Sequence, residues 1–292
     1  ASHPNETRVV LKSNGNIEDY EYESLNSTLI KNNIYLGKVS RVEPSLQAAF
    51  IDFGRERHGF LSFNDIQSDY YKIPQSDLDK IKIEEEKARE ELIKQSEKEE
   101  KNLIENDPVE KNLDQNSKNE KNFIERRHPI KRYKIQEVIK PNQVILVQVL
   151  KDERGLKGAA LSTFISIAGK YIVLMPNTPK GGGISRKIFN PADRKKIRTI
   201  LNQIIIPKEM GIIVRTAGSN KSKNEIDRDL QSLIKVWEAI KETAMNSIAP
   251  SLIHKESEII KRTIRDIYDD ETKNIVIEGN EGYQKAKNFM KL

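Results

Sequence analysis

The stretch Asn33 to Phe63, NIYLGKVSRVEPSLQAAFIDFGRERHGFLSF, decides how this chain is read. It holds three short runs in which apolar and polar residues alternate: Ile34-Tyr35-Leu36, Ala48 to Phe53, and His58-Gly59-Phe60-Leu61. Alternation of period two is the mark of a half-buried strand. Turn-forming residues separate the runs, first Glu43-Pro44-Ser45 and then Gly54-Arg55-Glu56-Arg57. This spacing predicts a small five-stranded barrel of the kind that binds nucleic-acid strands on an aromatic face. Tyr35, Phe50 and Phe60 are interleaved with Lys38, Arg41, Arg55 and Arg57, as stacking on bases and neutralising phosphates would require.

Composition sets outer limits. The 292 residues suffice for two or three modules. A net charge of +6 favours an anionic partner only modestly, because 44 acidic residues nearly balance 50 basic ones. Cysteine is absent, which excludes disulfides, thiolate metal sites and cysteine nucleophiles and suits a reducing cytoplasm. The sequence shows no leader and no apolar run of bilayer length, so the expectation is a cytoplasmic protein without a transmembrane segment. Mean hydropathy of −0.66 indicates that part of the chain joins no core.

That part is predicted at about 75–127. It is dominated by Glu, Lys, Asn, Asp and Gln, and no glycine occurs between Gly59 and Gly155. Its apolar residues Ile81, Ile83, Leu92 and Ile93 form no continuous stripe. We expect a disordered or transiently helical insertion, with a protein-docking arm as the alternative. The basic string Arg126 to Tyr133 suits either phosphate contact or a solvated loop.

Elsewhere, Thr7 to Leu11 and Asp19 to Tyr22 predict strands around an Asn14-Gly15-Asn16 turn, and Val144 to Leu150 a buried strand. Gly181 to Lys187 reads as a flexible glycine turn before basic residues. A helix starts at Asn190-Pro191 with Ile197, Ile200, Leu201 and Ile204 on one face. Gly211 to Gly218 reads as a buried strand running into a polar turn. Ile226, Leu230, Leu233, Ile234, Trp237 and Ile240 mark a long amphipathic helix, with Trp237 in the core. A further helix through Ile259 to Ile267, a strand over Lys273 to Gly279 and a last helix from Gly282 follow.

Four long segments, GKVSRVEPSLQAAFIDFGRERHGFL (37–61), KDERGLKGAALSTFISIAGKYIVLMPNTPKGGGISRKI (151–188), GIIVRTAG (211–218) and LIHKESEIIKRTIRDIY (252–268), resemble the ribonuclease E/G family in the same order. The resemblance covers nearly everything but the charged insertion. It implies an α+β chain of several modules, with an S1-type OB β-barrel inserted in a split RNase H-like α/β subdomain and an α+β 5′-sensor module. The implied boundaries are 1–32 for the first RNase H-like part, 33–154 for the S1 barrel, 155–258 for the sensor and 259–292 for the second RNase H-like part. The hairpin at the start would then pair with the region around Asn274 to Glu278.

By residue type alone, Arg215 and Thr216 at a strand end serve either structure or phosphate recognition, a guanidinium fork and a hydroxyl being good phosphate donors. The resemblance implies a pocket for an RNA 5′-monophosphate at Arg215, Thr216, Gly169 and Val173. Phe50 and Phe60 suit barrel core or an outer face equally, while Phe53 reads as core. The resemblance implies RNA contact by Phe50, Phe60 and Lys157, with Arg186 in support.

Asp52, Asp65, Asp152, Glu153 and Asp266 are scattered, and His3, His58, His128 and His254 lack metal-ligand spacing. No GxxxxGK loop occurs. The family's magnesium-binding aspartates would lie beyond Leu292. The implied whole protein is therefore a magnesium-dependent endoribonuclease acting on single-stranded RNA with a 5′-monophosphate in RNA processing and decay, not on DNA. It would be homo-oligomeric and cytoplasmic, with a peripheral place at the inner membrane as the second location. The stretch in hand would bind RNA without cutting it. The alternative is a non-catalytic RNA-binding adaptor that uses the charged arm for docking.

Overall fold

In the computed structural model, residues 6–24, 29–84, 133–155, 157–178, 181–207, 209–256, 258–268 and 271–290 are described. The organising strand is β3, Ile34–Glu43. It pairs antiparallel with β4 (Ala48–Asp52) on one edge and with β6 (Val144–Lys151) on the other. From β4 the sheet continues through β5 (Gly59–Ser62) and β7 (Ala160–Ser162) and returns to β6, which closes a five-stranded barrel. The β5–β7 pair is parallel and the other barrel pairs are antiparallel.

Alternation along these strands sends Val39, Ala49, Ile51, Leu61, Ile145, Val147, Val149 and Leu161 into one buried cluster. Phe53 joins it at 1% exposure and meets Tyr35 edge-on at 5.1 Å, so its expected core role holds. A short helix, α2 (Ile135–Val138), buries Ile135 and Val138 against the same cluster.

The charged insertion does not begin without order. Over 75–84 the chain forms a helix, α1, with Ile81 buried, and the Tyr133 hydroxyl donates to Asp77 Oδ2 at 2.6 Å. The buried Ile81, this hydrogen bond and a Lys82–Asp69 ion pair at 2.9 Å anchor the helix, although the window around it lacks a stripe. The remainder of the insertion and the basic string up to residue 132 lie outside the described residues.

A second layer follows the barrel. Its sheet runs in the order β10 (Gly181–Ile184), β11 (Gly211–Val214), β9 (Ile172–Met175), β8 (Ile167–Ala168). Two helices cover it, α3 (Pro191–Gln203) and α4 (Lys223–Met245). Asn190 caps α3, its side chain accepting from the Ala192 N–H at 3.0 Å, and Ser222 with Glu225 forms a capping box on α4. Ile197, Leu201, Ile226, Leu230 and Trp237 meet Ile172, Leu174, Ile212 and Val214 in a common core. The glycines at 181–183 form an edge strand parallel to β11 where a flexible turn was expected. Ladder hydrogen bonds need only backbone, so an edge strand forms without side chains to bury.

The barrel and this layer share β3, whose Ile34 enters the second core while Tyr35 enters the first. Beyond α4, β12 (Ser251–His254) adds to β3 opposite Leu36 and Tyr35. The buried Gln148 side chain of β6 adds a polar joint, donating to Asn32 O and Ser166 O and accepting from the Ser166 N–H.

The opening hairpin differs from expectation. Among the described residues, strands β1 (Glu6–Ser13) and β2 (Asn16–Ser24) pair only with each other, and 273–278 is irregular, with Val276 94% exposed. The predicted pairing with Asn274 to Glu278 is therefore absent. Helix α5 (Ile259–Asp266) docks on the hairpin instead, through an Arg262–Glu21 ion pair at 2.8 Å and an Ile259 N–H bond to Glu23 at 3.2 Å. The last helix, α6, spans Asn280–Met290.

Closure of the barrel makes a sharp demand at Gly158. A Cβ there would stand 2.2 Å from the His58 carbonyl oxygen, a backbone atom that cannot rotate away. Gly158→Ala should destabilise the chain by about 1–3 kcal/mol, read as a lower denaturation midpoint. An unchanged midpoint would contradict this account of the β5–β7 seam.

Candidate nucleic-acid interface

The pleat resolves the two readings of the barrel phenylalanines. Ile51 and Leu61 point inward, so Phe50 and Phe60 are carried on the outer face, Phe60 at 36% exposure. The strand registers place Arg41, Phe50, Phe60 and Ala160 in one row across β3, β4, β5 and β7. The two rings meet edge to face at 6.0 Å, and the Arg41 guanidinium lies 4.5 Å over Phe50. Such a row offers flat apolar surface beside fixed positive charge.

Lys157 is exposed on a tight turn closed by reciprocal backbone bonds with Arg154 at 3.0 and 3.1 Å. Arg57 donates to the Gly155 carbonyl, and the Phe60 N–H donates to Ala159 O at 2.8 Å. These bonds lay the Lys157 turn along the entry to β5. Lys157 thus stands at the rim of the phenylalanine row.

The other expected residues lie at one corner of the smaller sheet. Arg215 follows β11, its backbone N–H donating to Tyr171 O at 2.8 Å. One arm of its guanidinium, Nη1, donates to Gly169 O at 2.6 Å, and Nη2 donates to Asp266 Oδ1 at 2.8 Å. The side chain is 30% exposed, so neither contact buries it. Thr216, exposed, opens the single helical turn Thr216–Gly218. Val173 on β9 pairs with Ile213 and Ala168. Because β10 and β11 run parallel, Arg186 leaves the same end of the sheet as Arg215 and Thr216.

Gly169 is required for a different reason from backbone freedom. A Cβ at this position would lie 2.6 and 2.7 Å from the carboxylate oxygens of Asp229. That carboxylate, on α4, accepts the N–H groups of Tyr171 at 2.8 Å, Ile172 at 3.0 Å and Lys170 at 3.4 Å. Sequence reasoning missed Asp229, which follows Glu225 and Asp227 beside the apolar stripe of a helix and is not set apart from them by type or spacing.

It also left Asp266 unassigned. Arg265 grips both oxygens of this carboxylate, Nε at 3.1 Å and Nη2 at 3.0 Å, while Arg215 holds Oδ1. Burial works to raise the Asp266 pKa, but the hydrogen bonds and charges of Arg265 and Arg215 prevail and lower it. A lowered folded pKa means that this ion network stabilises the fold above the ordinary carboxylate range and is lost as pH falls through the lowered value. Glu256 holds Arg265 in turn. Around the same corner Lys170 lies 4.7 Å over the Tyr268 ring, and Lys221 lies 5.2 Å over Tyr171.

Among the described residues, no group of three or more His, Cys, Asp or Glu side chains could hold a metal ion. Among the described residues, too, no helix is long and apolar enough to cross a membrane.

A model of the Ribonuclease E/G family matches residues 166–292. The chain is 37% identical to Ribonuclease E of Haemophilus influenzae over 292 residues, which is 100% of this chain and 26% of that one. Against Ribonuclease E of Escherichia coli the identity is 37% over 287 residues, or 98% and 22% of the two chains. Against the putative ribonuclease E of Buchnera aphidicola subsp. Baizongia pistaciae it is 34% over 283 residues, 97% and 56%. The chain thus spans about a quarter of the length of the first two relatives. With matches running along all of its length and a closed barrel carrying the first resembling segment, the chain belongs to the ribonuclease E/G family.

Proposed function

We propose that residues 1–292 hold single-stranded RNA along the outer face of the barrel and read its 5′ end at Arg215, within an endoribonuclease that acts in RNA processing and decay. The observation that carries this reading is the meeting of Arg215, Thr216, Gly169 and Val173 at one sheet corner, with Arg186 leaving the same end. A guanidinium held at Nη1 by a carbonyl and at Nη2 by an exchangeable carboxylate can offer Nη2 and its remaining N–H groups to an incoming oxyanion, and a threonine hydroxyl beside it adds a further donor. A terminal monophosphate presents several oxygens and more negative charge than an internal phosphodiester. A 5′-hydroxyl presents neither. On the barrel, bases would stack on Phe50 and Phe60 while Lys157 and Arg41 neutralise phosphates.

Relatives bearing the name Ribonuclease E support RNA cleavage as the activity of the whole protein. In this reading magnesium and its carboxylates belong to parts of the relatives that the chain does not span. The stretch described here binds and orients RNA and supplies no cleaving group. Homo-oligomeric assembly and a cytoplasmic location belong to the same proposal and rest on the resemblance alone.

Binding of two RNAs of one sequence, one with a 5′-monophosphate and one with a 5′-hydroxyl, tests the reading directly. The unaltered chain should favour the monophosphate by about tenfold or more, as expected for hydrogen bonds to a charged group worth about 1.5–3 kcal/mol. Arg215→Ala should bind the two equally, and equal binding by the unaltered chain would overturn the site. Phe60→Ala should weaken both RNAs alike by about 1–3 kcal/mol; a loss confined to the phosphorylated RNA would contradict the stacking role. Labelled RNA incubated with residues 1–292 and magnesium should stay intact, whereas cleavage abolished by a chelator would contradict the division of labour.

A further inference from the structure

We propose that Asp266 sets the affinity of the Arg215 corner for a terminal phosphate by occupying the guanidinium until the phosphate replaces it. The inference rests on the reading of Arg215 as the phosphate-binding residue.

The geometry supplies three reasons. First, the Asp266 carboxylate already sits where an oxyanion would bind, 2.8 Å from Arg215 Nη2. A dianionic phosphate on the same fork would either share it with another negative group or displace that group, and like charges at such range repel. Second, Asp266 has another holder. Arg265 binds both of its oxygens at 3.1 and 3.0 Å, so release from Arg215 leaves no stranded carboxylate. Arg265 is fixed in turn by Glu256 and by the Ala168 carbonyl at 3.4 Å, so it need not follow the incoming ligand. Third, Arg215 keeps its bond to Gly169 O at 2.6 Å through the exchange, so the fork stays aimed. The side chains of Arg215 and Asp266 are 30% and 31% exposed, which leaves the pair open to a ligand arriving from solvent.

The chemical consequence is a threshold. A neutral 5′-hydroxyl cannot compete with a carboxylate for the guanidinium, while a terminal phosphate can. The carboxylate also lowers the affinity of the phosphate that succeeds, because part of its gain replaces an existing ion pair. Asp266 thus holds down the affinity of this corner for a terminal phosphate and narrows its preference over a 5′-hydroxyl. A merely positioning carboxylate would act in the opposite direction, since its loss would loosen Arg215.

The test neutralises the carboxylate by Asp266→Asn, which keeps an oxygen acceptor in place, and by Asp266→Ser, which removes the larger group. Fluorescence anisotropy with the matched 5′-monophosphorylated and 5′-hydroxyl RNAs, and competition by inorganic phosphate, give the readout; thermal unfolding reports the fold. Both variants should bind the monophosphorylated RNA about tenfold more tightly, bind the hydroxyl RNA as before, and yield to lower concentrations of inorganic phosphate. Where one variant fails to fold, the other decides. If the unaltered chain prefers the monophosphate but the folded variant binds it equally or more weakly, Asp266 is not a competitor and this inference falls alone. If the unaltered chain shows no preference, the Arg215 reading falls and takes this inference with it.

Discussion

The carboxylate of Asp229 is the constraint on which the candidate site depends. It reaches from α4 to the turn before β9 and accepts three successive backbone N–H groups, those of Lys170, Tyr171 and Ile172. Amides left without partners beside a packed core would each cost free energy, so one acid on the helix settles three demands of the turn. The contact is so close that residue 169 has no room for a side chain. Its carbonyl oxygen is thereby fixed, and Arg215 is fixed by it. Arg215 also binds the turn through its backbone, N–H to Tyr171 O. A helix acid, a glycine and an arginine far apart in sequence thus form one rigid joint. Rigidity of this kind limits the conformational freedom that a phosphate contact would otherwise cost.

The barrel is joined to that site through β3. Its successive residues Ile34 and Tyr35 belong to different cores, so the strand cannot slip by one position without exchanging both. The same register sends Phe50 and Phe60 outward on the neighbouring strands. Core packing therefore determines which aromatics remain available at the surface. The hairpin at the start is held differently, by charged contacts from α5, the helix that also carries Arg265 and Asp266. Any change in the ion network at Arg215 is felt by an element that also touches the hairpin.

The sequence was most legible where a periodic pattern coincided with burial. Val144 to Leu150, the helix through Trp237 and the three runs from Ile34 to Leu61 follow the patterns written in them, because each buries one face. The resemblance named Arg215, Thr216, Gly169 and Val173, and these do gather at one corner of the sheet. What stayed illegible has no period. Glycines 181–183 pair by backbone alone, so nothing in their side chains announces a strand. The run 273–278 is apolar enough to suggest one, yet finds no sheet edge. The contacts of Asp229 with the turn and of Asp266 with Arg215 cross 51 to 59 residues of chain, and an acid at either position reads like any solvated one.

A crystal structure of residues 1–292 with a short 5′-monophosphorylated RNA bears on the central claim most directly. Terminal phosphate oxygens should lie within about 3 Å of the Arg215 guanidinium and the Thr216 hydroxyl. The Gly169 tether would be intact, Asp266 turned to Arg265, and the chain of bases leading toward Phe60. A terminal phosphate bound elsewhere, with the Arg215–Asp266 pair unchanged, would contradict it.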